Sequence, residues 1–120
     1  MKMAHVTIFA KDMDKSIQFY QDIVGLTVVR EMRDNPLHAV VFLANAIGDT
    51  CVEIVSEEGK VYEGSGISLG FVTDDAVAKR DSLIALGYDP TPMISPGPGV
   101  QFFFIKDPTG VEIQFIQEDM

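Results

Sequence analysis

Apolar and polar residues alternate from His5 to Ala10. Val6 and Ile8 fall on one side, and His5, Thr7 and Phe9 fall on the other, the two-residue period of a strand. The run 11–14 breaks that pattern, and Asp12 or Asp14 is suited to cap a helix because a short carboxylate accepts bonds from first-turn amides. Ile17, Tyr20, Ile23 and Val24 then recur at helical spacing, and Gly25 supplies the left-handed residue that ends many helices. Three strands are predicted next, at about residues 26–33, 38–44 and 50–56, divided by Asp34-Asn35-Pro36 and Gly48-Asp49.

Residues 58–66 are polar and glycine-bearing, and the same order then starts again. A strand is predicted at 67–73, Asp74 or Asp75 caps a helix that ends at Gly87, and three strand-like runs follow. The last two are 100–106 and 111–117, joined by the turn Asp107-Pro108-Thr109-Gly110. A shift of 63 residues lays Val6 and Ile8 on Leu69 and Phe71, and His5 and Thr7 on Ser68 and Gly70. A shift of 62 lays Asp12 on Asp74 and Gly25 on Gly87, and a shift of 61 lays Val52-Glu53-Ile54 on Ile113-Gln114-Phe115. The pattern predicts one α+β domain of two tandem βαβββ modules, 1–57 and 67–120, joined by a linker at 58–66. Each helix covers one face of a curved mixed sheet, leaving the other face open as a cup.

Composition narrows the functional classes. The 120 residues carry 18 acidic and 9 basic side chains, for a net charge of −9. Phosphate backbones and anionic membrane surfaces would be repelled, so neither nucleic acid nor membrane is an expected partner. No apolar run approaches the roughly 20 residues of a membrane span, and the N-terminus has no signal-like apolar core. The single cysteine, Cys51, sits in an apolar strand and cannot form an intrachain disulfide, which fits a reducing cytoplasm.

His5-Val6-Thr7-Ile8, Asp12, the helix Ser16-Ile17-Gln18-Phe19-Tyr20 with Val24-Gly25-Leu26, and the closing Asp107-Pro108-Thr109-Gly110 with Ile113 and Phe115 carry a resemblance. The chain resembles the vicinal-oxygen-chelate superfamily, which includes glyoxalase I, bleomycin-resistance proteins and extradiol dioxygenases. That resemblance spans essentially the whole chain and implies the same paired-module fold. It also implies a divalent metal bound by one residue from the first and last strand of each module, acting as a Lewis acid on two neighbouring substrate oxygens.

By this resemblance the four positions are His5, Glu53, Ser68 and Gln114. His5 and Glu53 match the superfamily's ligand types, whereas Ser68 stands where histidine is usual and Gln114 where glutamate is usual. A serine hydroxyl and an amide oxygen are weak neutral donors. His5, Glu53 and Gln114 are therefore the candidate metal ligands, for nickel, zinc, manganese or iron if the site is filled, and the alternative is no metal at all. Glu112 shares a strand face with Gln114 and could supply the missing carboxylate. Glu53 and Glu112 are the candidate bases. His38 begins a strand and is assigned no chemistry.

In glutathione-using lyases of this type an arginine is typical at the position of Phe9, and an asparagine at the position of Glu57. Both departures argue against glutathione. An extradiol dioxygenase would need two histidines and a glutamate, and only His5 is present. Phe9, Ser68, Phe103 and Gln114 are the candidate ligand-binding residues. Residues 91–99, rich in proline and glycine, are expected either to form a lid or to act as a rigid connector. The leading expectation is a homodimeric small-molecule binder with a degenerate metal site, of the drug-sequestering kind. The alternative is a divalent-metal-dependent lyase or isomerase of the glyoxalase type, acting on a substrate other than the glutathione hemithioacetal.

Overall fold

The computed structural model of the chain describes residues 1–119. These divide into two units, Met1–Gly64 with Pro108–Gly110, and Ser65–Asp107 with the residues from Val111 onward. Among the described residues, no helix is long and apolar enough to cross a membrane.

The first unit opens with β1, His5–Phe9, whose Ile8 is buried while His5 and Thr7 are exposed. Asp12 leaves the strand in an extended conformation and its carboxylate accepts the Lys15 N–H at 3.1 Å, so Asp12 is the N-cap of α1, Met13–Phe19. The helix widens into a π-helical turn, Tyr20–Val24, and stops at Gly25, which has φ +89°. The wide turn inserts an extra residue, so two consecutive rings reach the core. Phe19 and Tyr20 are both buried and meet edge to face at 5.1 Å. The buried stripe is thus Met13, Ser16, Phe19 and Tyr20, with Ile17, Ile23 and Val24 only half-buried.

Three strands follow, β2 (Thr27–Met32), β3 (His38–Ala44) and β4 (Cys51–Glu57). The sheet order is β1-β4-β3-β2, with β1 parallel to β4 and the other pairs antiparallel. Helix α1 lies against β4. Alternation puts Val52 and Ile54 in the core and leaves Glu53 half-buried on the open face. Part of the expected linker is tied to this sheet, because Lys60 bridges back to Glu57 and the Tyr62 N–H donates to the Phe9 carbonyl at 2.9 Å.

The second unit repeats the scheme. It contains β5 (Ser68–Val72), α2 (Ala76–Ala85), β6 (Ile94–Gly97), β7 (Val100–Lys106) and β8 (Glu112–Glu118), in the sheet order β5-β8-β7-β6. Asp75 is the cap of α2, its carboxylate accepting the Ala78 N–H at 3.0 Å. The repeat therefore pairs Asp12 with Asp75 rather than with Asp74. Helix α2 packs on β7 and β8 over Leu83, Phe103, Ile105, Ile113 and Phe115, all buried.

Residues 91–99 are not a free lid. Ile94–Gly97 is an edge strand paired antiparallel with β7, Ile94 against Phe102 and Gly97 against Val100. Gly99, at φ +79°, turns the chain from β6 into β7. Proline is tolerated there because an edge strand leaves one side of its backbone unpaired.

Candidate functional site

On the first sheet a single row runs straight across all four strands: Thr7 opposite Glu53, Glu53 opposite Phe42, and Phe42 opposite Arg30. The period of two puts these side chains on the face away from α1. The Thr7 hydroxyl donates to Glu53 Oε1. His5 Nε2 lies 3.4 Å from the same oxygen, with the Glu53 side chain 15% exposed and that of His5 42% exposed. The His5 ring meets Phe42 edge to face at 5.7 Å, and the Arg30 guanidinium lies 5.8 Å from the Phe42 ring centre. Glu53 is thus fixed by a hydroxyl and an imidazole on a floor that is partly aromatic.

Beside this row lies a pocket of about 290 Å³ lined by Thr7, Phe9, Gly59, Lys60, Val61 and Tyr62. Lys60 Nζ lies 5.2 Å from the centre of the Phe9 ring and 3.4 Å from Glu57 Oε2. The other Glu57 oxygen lies 2.9 Å from His38 Nδ1. The hydrogen bond from His38, with a further contribution from Lys60, holds the Glu57 carboxyl below its ordinary range. Glu57 therefore does not present a bare negative charge to the pocket, and Lys60 brings a cation to the side of Phe9. Sequence reasoning missed the His38–Glu57 pair. It could have been found by counting outward from the 46–49 turn, since the β3–β4 register sets residue 38 against 57.

On the second sheet the equivalent row is Gly70, Gln114 and Phe104. Gln114 is half-buried, and its Oε1 lies over Gly70, where an added Cβ would fall 2.8 Å away. Ser68 and Glu112 are exposed and opposite one another, and Glu112 is opposite Lys106 on its other side. Ser68 and Glu112 have no hydrogen bond or ion pair between them. The structure thus brings His5 to Glu53, gathers Ser68, Glu112 and Gln114 on one sheet face, and places Phe9 in a pocket wall.

Phe103 does not line a ligand surface. It is fully buried beneath α2 and its ring lies 5.6 Å from Phe115. Its neighbours Phe102 and Phe104 take the opposite face, half-buried and in edge-to-face contact at 5.8 Å. Three consecutive phenylalanines leave the face ambiguous in sequence, and the helix contact decides it. Cys51 is half-buried, its thiol directed to the Asp49 carbonyl at 3.4 Å.

A search against family models matches residues 2–115 to the glyoxalase/bleomycin resistance protein/dioxygenase superfamily. The chain belongs to that superfamily. A lactoylglutathione lyase from Haemophilus influenzae is 30% identical over 130 residues, covering 98% of this chain and 93% of its own. Among solved superfamily structures, the trypanothione-dependent glyoxalase I of Leishmania major matches with a TM-score of 0.82 at 22% identity, over 98% of this chain and 87% of that one. TnmS3, an antibiotic binding protein from Streptomyces sp. CB03234, matches with a TM-score of 0.79 at 21% identity, over 99% of this chain and 97% of that one. Both structural likenesses concern the fold.

Membership of the superfamily raises the question of a metal, which the donor set itself can answer. Within the first unit, His5 and Glu53 are close enough to share one cation. Among the described residues, however, no three His, Cys, Asp or Glu side chains gather in a way that could hold a metal ion. One imidazole and one carboxylate are half of a tight divalent centre, so the first unit by itself does not fit a strongly held metal.

Proposed function

We propose that this chain is a small-molecule-binding member of the superfamily that holds its ligand against the open face of the first sheet, at His5, Thr7 and Glu53. The observation that carries this reading is the state of Glu53. Its carboxylate is largely shielded, fastened by Thr7 and His5, and adjoins a pocket of about 290 Å³, close to the lower size of ligand sites. A carboxylate held that way, next to an aromatic floor, can orient a ligand donor group without needing a metal. Lys60 at the pocket wall would meet an acceptor or anionic group of the ligand. Phe9 and Ser68 are further ligand-contact candidates, and Gln114 would offer an amide rather than a base. A homodimer is expected, and drug sequestration of the bleomycin-resistance kind fits this donor set.

Calorimetric titration with Ni²⁺, Zn²⁺, Mn²⁺ and Fe²⁺, on the native chain and on His5→Ala and Glu53→Ala, tests the metal part. Binding is expected to be weak and to diminish in both variants. Tight stoichiometric binding abolished by either change would defeat the proposal. A thermal-shift screen of metabolites and antibiotics, repeated with Glu53→Ala, tests the ligand part.

The second reading is a divalent-metal-dependent lyase or isomerase, and the relatives named lactoylglutathione lyase favour it. Glu53 would then be the proton-transfer group, with Glu112 as the other candidate. Isomerisation of 2-oxoaldehyde hemithioacetals formed with several thiols, assayed in the presence of nickel or zinc, distinguishes the two. Turnover lost in Glu53→Gln would favour the enzyme.

A further inference from the structure

A recess of about 490 Å³ lies in the second unit where the chain leaves α2 and passes the end of β7, and it borders the open sheet face at Phe104 and Glu112. Its lining includes Tyr88, Asp89, Thr91, Phe104, Lys106 and Glu112. The volume lies within the range of small-molecule sites. We propose that this recess is a binding site for a small organic monocation with a planar apolar body, such as an arylalkylammonium ion.

Charge is the first reason. Among the lining side chains, Asp89 and Glu112 contribute two carboxylates and Lys106 one ammonium. All three are exposed, and none belongs to an ion pair among the described residues. The C-terminal end of α2, a helix of 10 residues, adds a negative partial charge just before Gly87, itself part of the lining. A cation would meet two carboxylates, whereas an anion would be repelled by both.

The walls are the second reason. Tyr88 and Phe104 are half-buried rings at the recess, and ring surface favours a flat cation over a hydrated inorganic one. Burial pushes the Tyr88 phenol up, so it stays uncharged at neutral pH and adds no competing anion. The far wall is already in place. The Thr91 N–H donates to the Phe104 carbonyl and the Phe104 N–H donates to Thr91 Oγ1, both at 3.0 Å. Arg80 Nε donates to the Thr91 carbonyl at 2.8 Å. A pinned wall lowers the ordering cost of binding. The recess shares Glu112 and Phe104 with the open face of the second sheet, and the inference does not rest on the function proposed above.

Amide-resolved NMR titration with 2-phenylethylammonium tests it, using 3-phenylpropionate as the anionic control. Saturable shifts at Tyr88, Asp89, Phe104 and Glu112 are expected at millimolar probe, with the anion at least tenfold weaker. The exposed double change Asp89→Asn with Glu112→Gln should weaken the ammonium probe at least tenfold, and its spectrum reports whether the fold is kept. His5→Ala with Glu53→Ala should leave this binding unchanged. No saturable shifts, equal binding of the anion, or affinity unaffected by the Asp89/Glu112 change would each overturn the proposal. So would probe binding that is lost only with His5 and Glu53.

Discussion

Gly70 stands directly opposite Gln114 in the parallel β5–β8 pairing, and the Gln114 amide oxygen occupies the space that a side chain at residue 70 would need. The matching pair on the first sheet is Thr7 and Glu53, which are joined by a hydrogen bond. The duplicated scheme therefore has an anchored carboxylate in one half and an amide folded over a glycine in the other.

Gly70→Ala should move Gln114 without unfolding the unit. The obstacle is the far end of a flexible side chain and the glycine has no positive φ, so the expected cost is about 1 kcal/mol, at the low end for overpacking. Urea denaturation should show that small loss, and the Gln114 side-chain amide resonances should shift.

The consecutive phenylalanines should differ sharply. Phe103→Ala removes a fully buried ring and is expected to cost about 3–5 kcal/mol. Phe104→Ala, from a half-buried position on the other face, should cost far less. Equal losses in equilibrium unfolding would contradict the face assignment.

Only one of the two neighbouring aspartates caps α2. Asp75→Ala should lower stability by about 1 kcal/mol through loss of the bond to the Ala78 N–H. Asp74→Ala should fall within about 0.5 kcal/mol of the native chain, as surface changes away from a cap usually do. Thermal unfolding of the two variants side by side checks the difference.

The His38–Glu57 contact predicts a pH signature. The carboxyl of Glu57 is lowered from an ordinary 4.5, chiefly by its hydrogen bond from His38. A depressed carboxyl contributes stability above its unfolded value, and that contribution is lost as pH falls through the folded one, so the window lies below about 4.5. His38→Ala should raise the Glu57 titration midpoint in carboxyl-carbon NMR and shrink the acid-side stability difference. An unchanged midpoint would show that the contact has no effect in solution.

Strand and helix order were legible because the binary pattern is strict: Val6 and Ile8, or Ile113 and Phe115, leave little choice of face. Module-level repetition reinforced each assignment. Details set by tertiary contact were not legible. Asp74 and Asp75 are equally good caps locally, and only the backbone bend chooses between them. Phe102–Phe104 has no alternation to read. The extra residue of the π-helical turn disturbed the 3.6-residue count beyond Tyr20, so Ile23 and Val24 looked like core but are only half-buried. For the candidate site, His5 and Glu53 could be found from their positions in the repeat. Phe42 and Lys60 could not, because they enter through cross-strand register and a loop that folds back.

The turn Pro108–Gly110 belongs to the first unit, where Thr109 Oγ1 accepts the Lys11 N–H at 3.3 Å and lies 3.5 Å from Ser16 Oγ. Those partners lie 98 and 93 residues apart in the chain. During synthesis at about 5–20 residues per second, the first unit, once Gly64 is made, must wait roughly 2–9 s for the piece that completes it. Until then, the entry to α1 stands without that support. A nascent chain released early, or a fragment ending at Gly64, would carry the first sheet with an unfinished helix start.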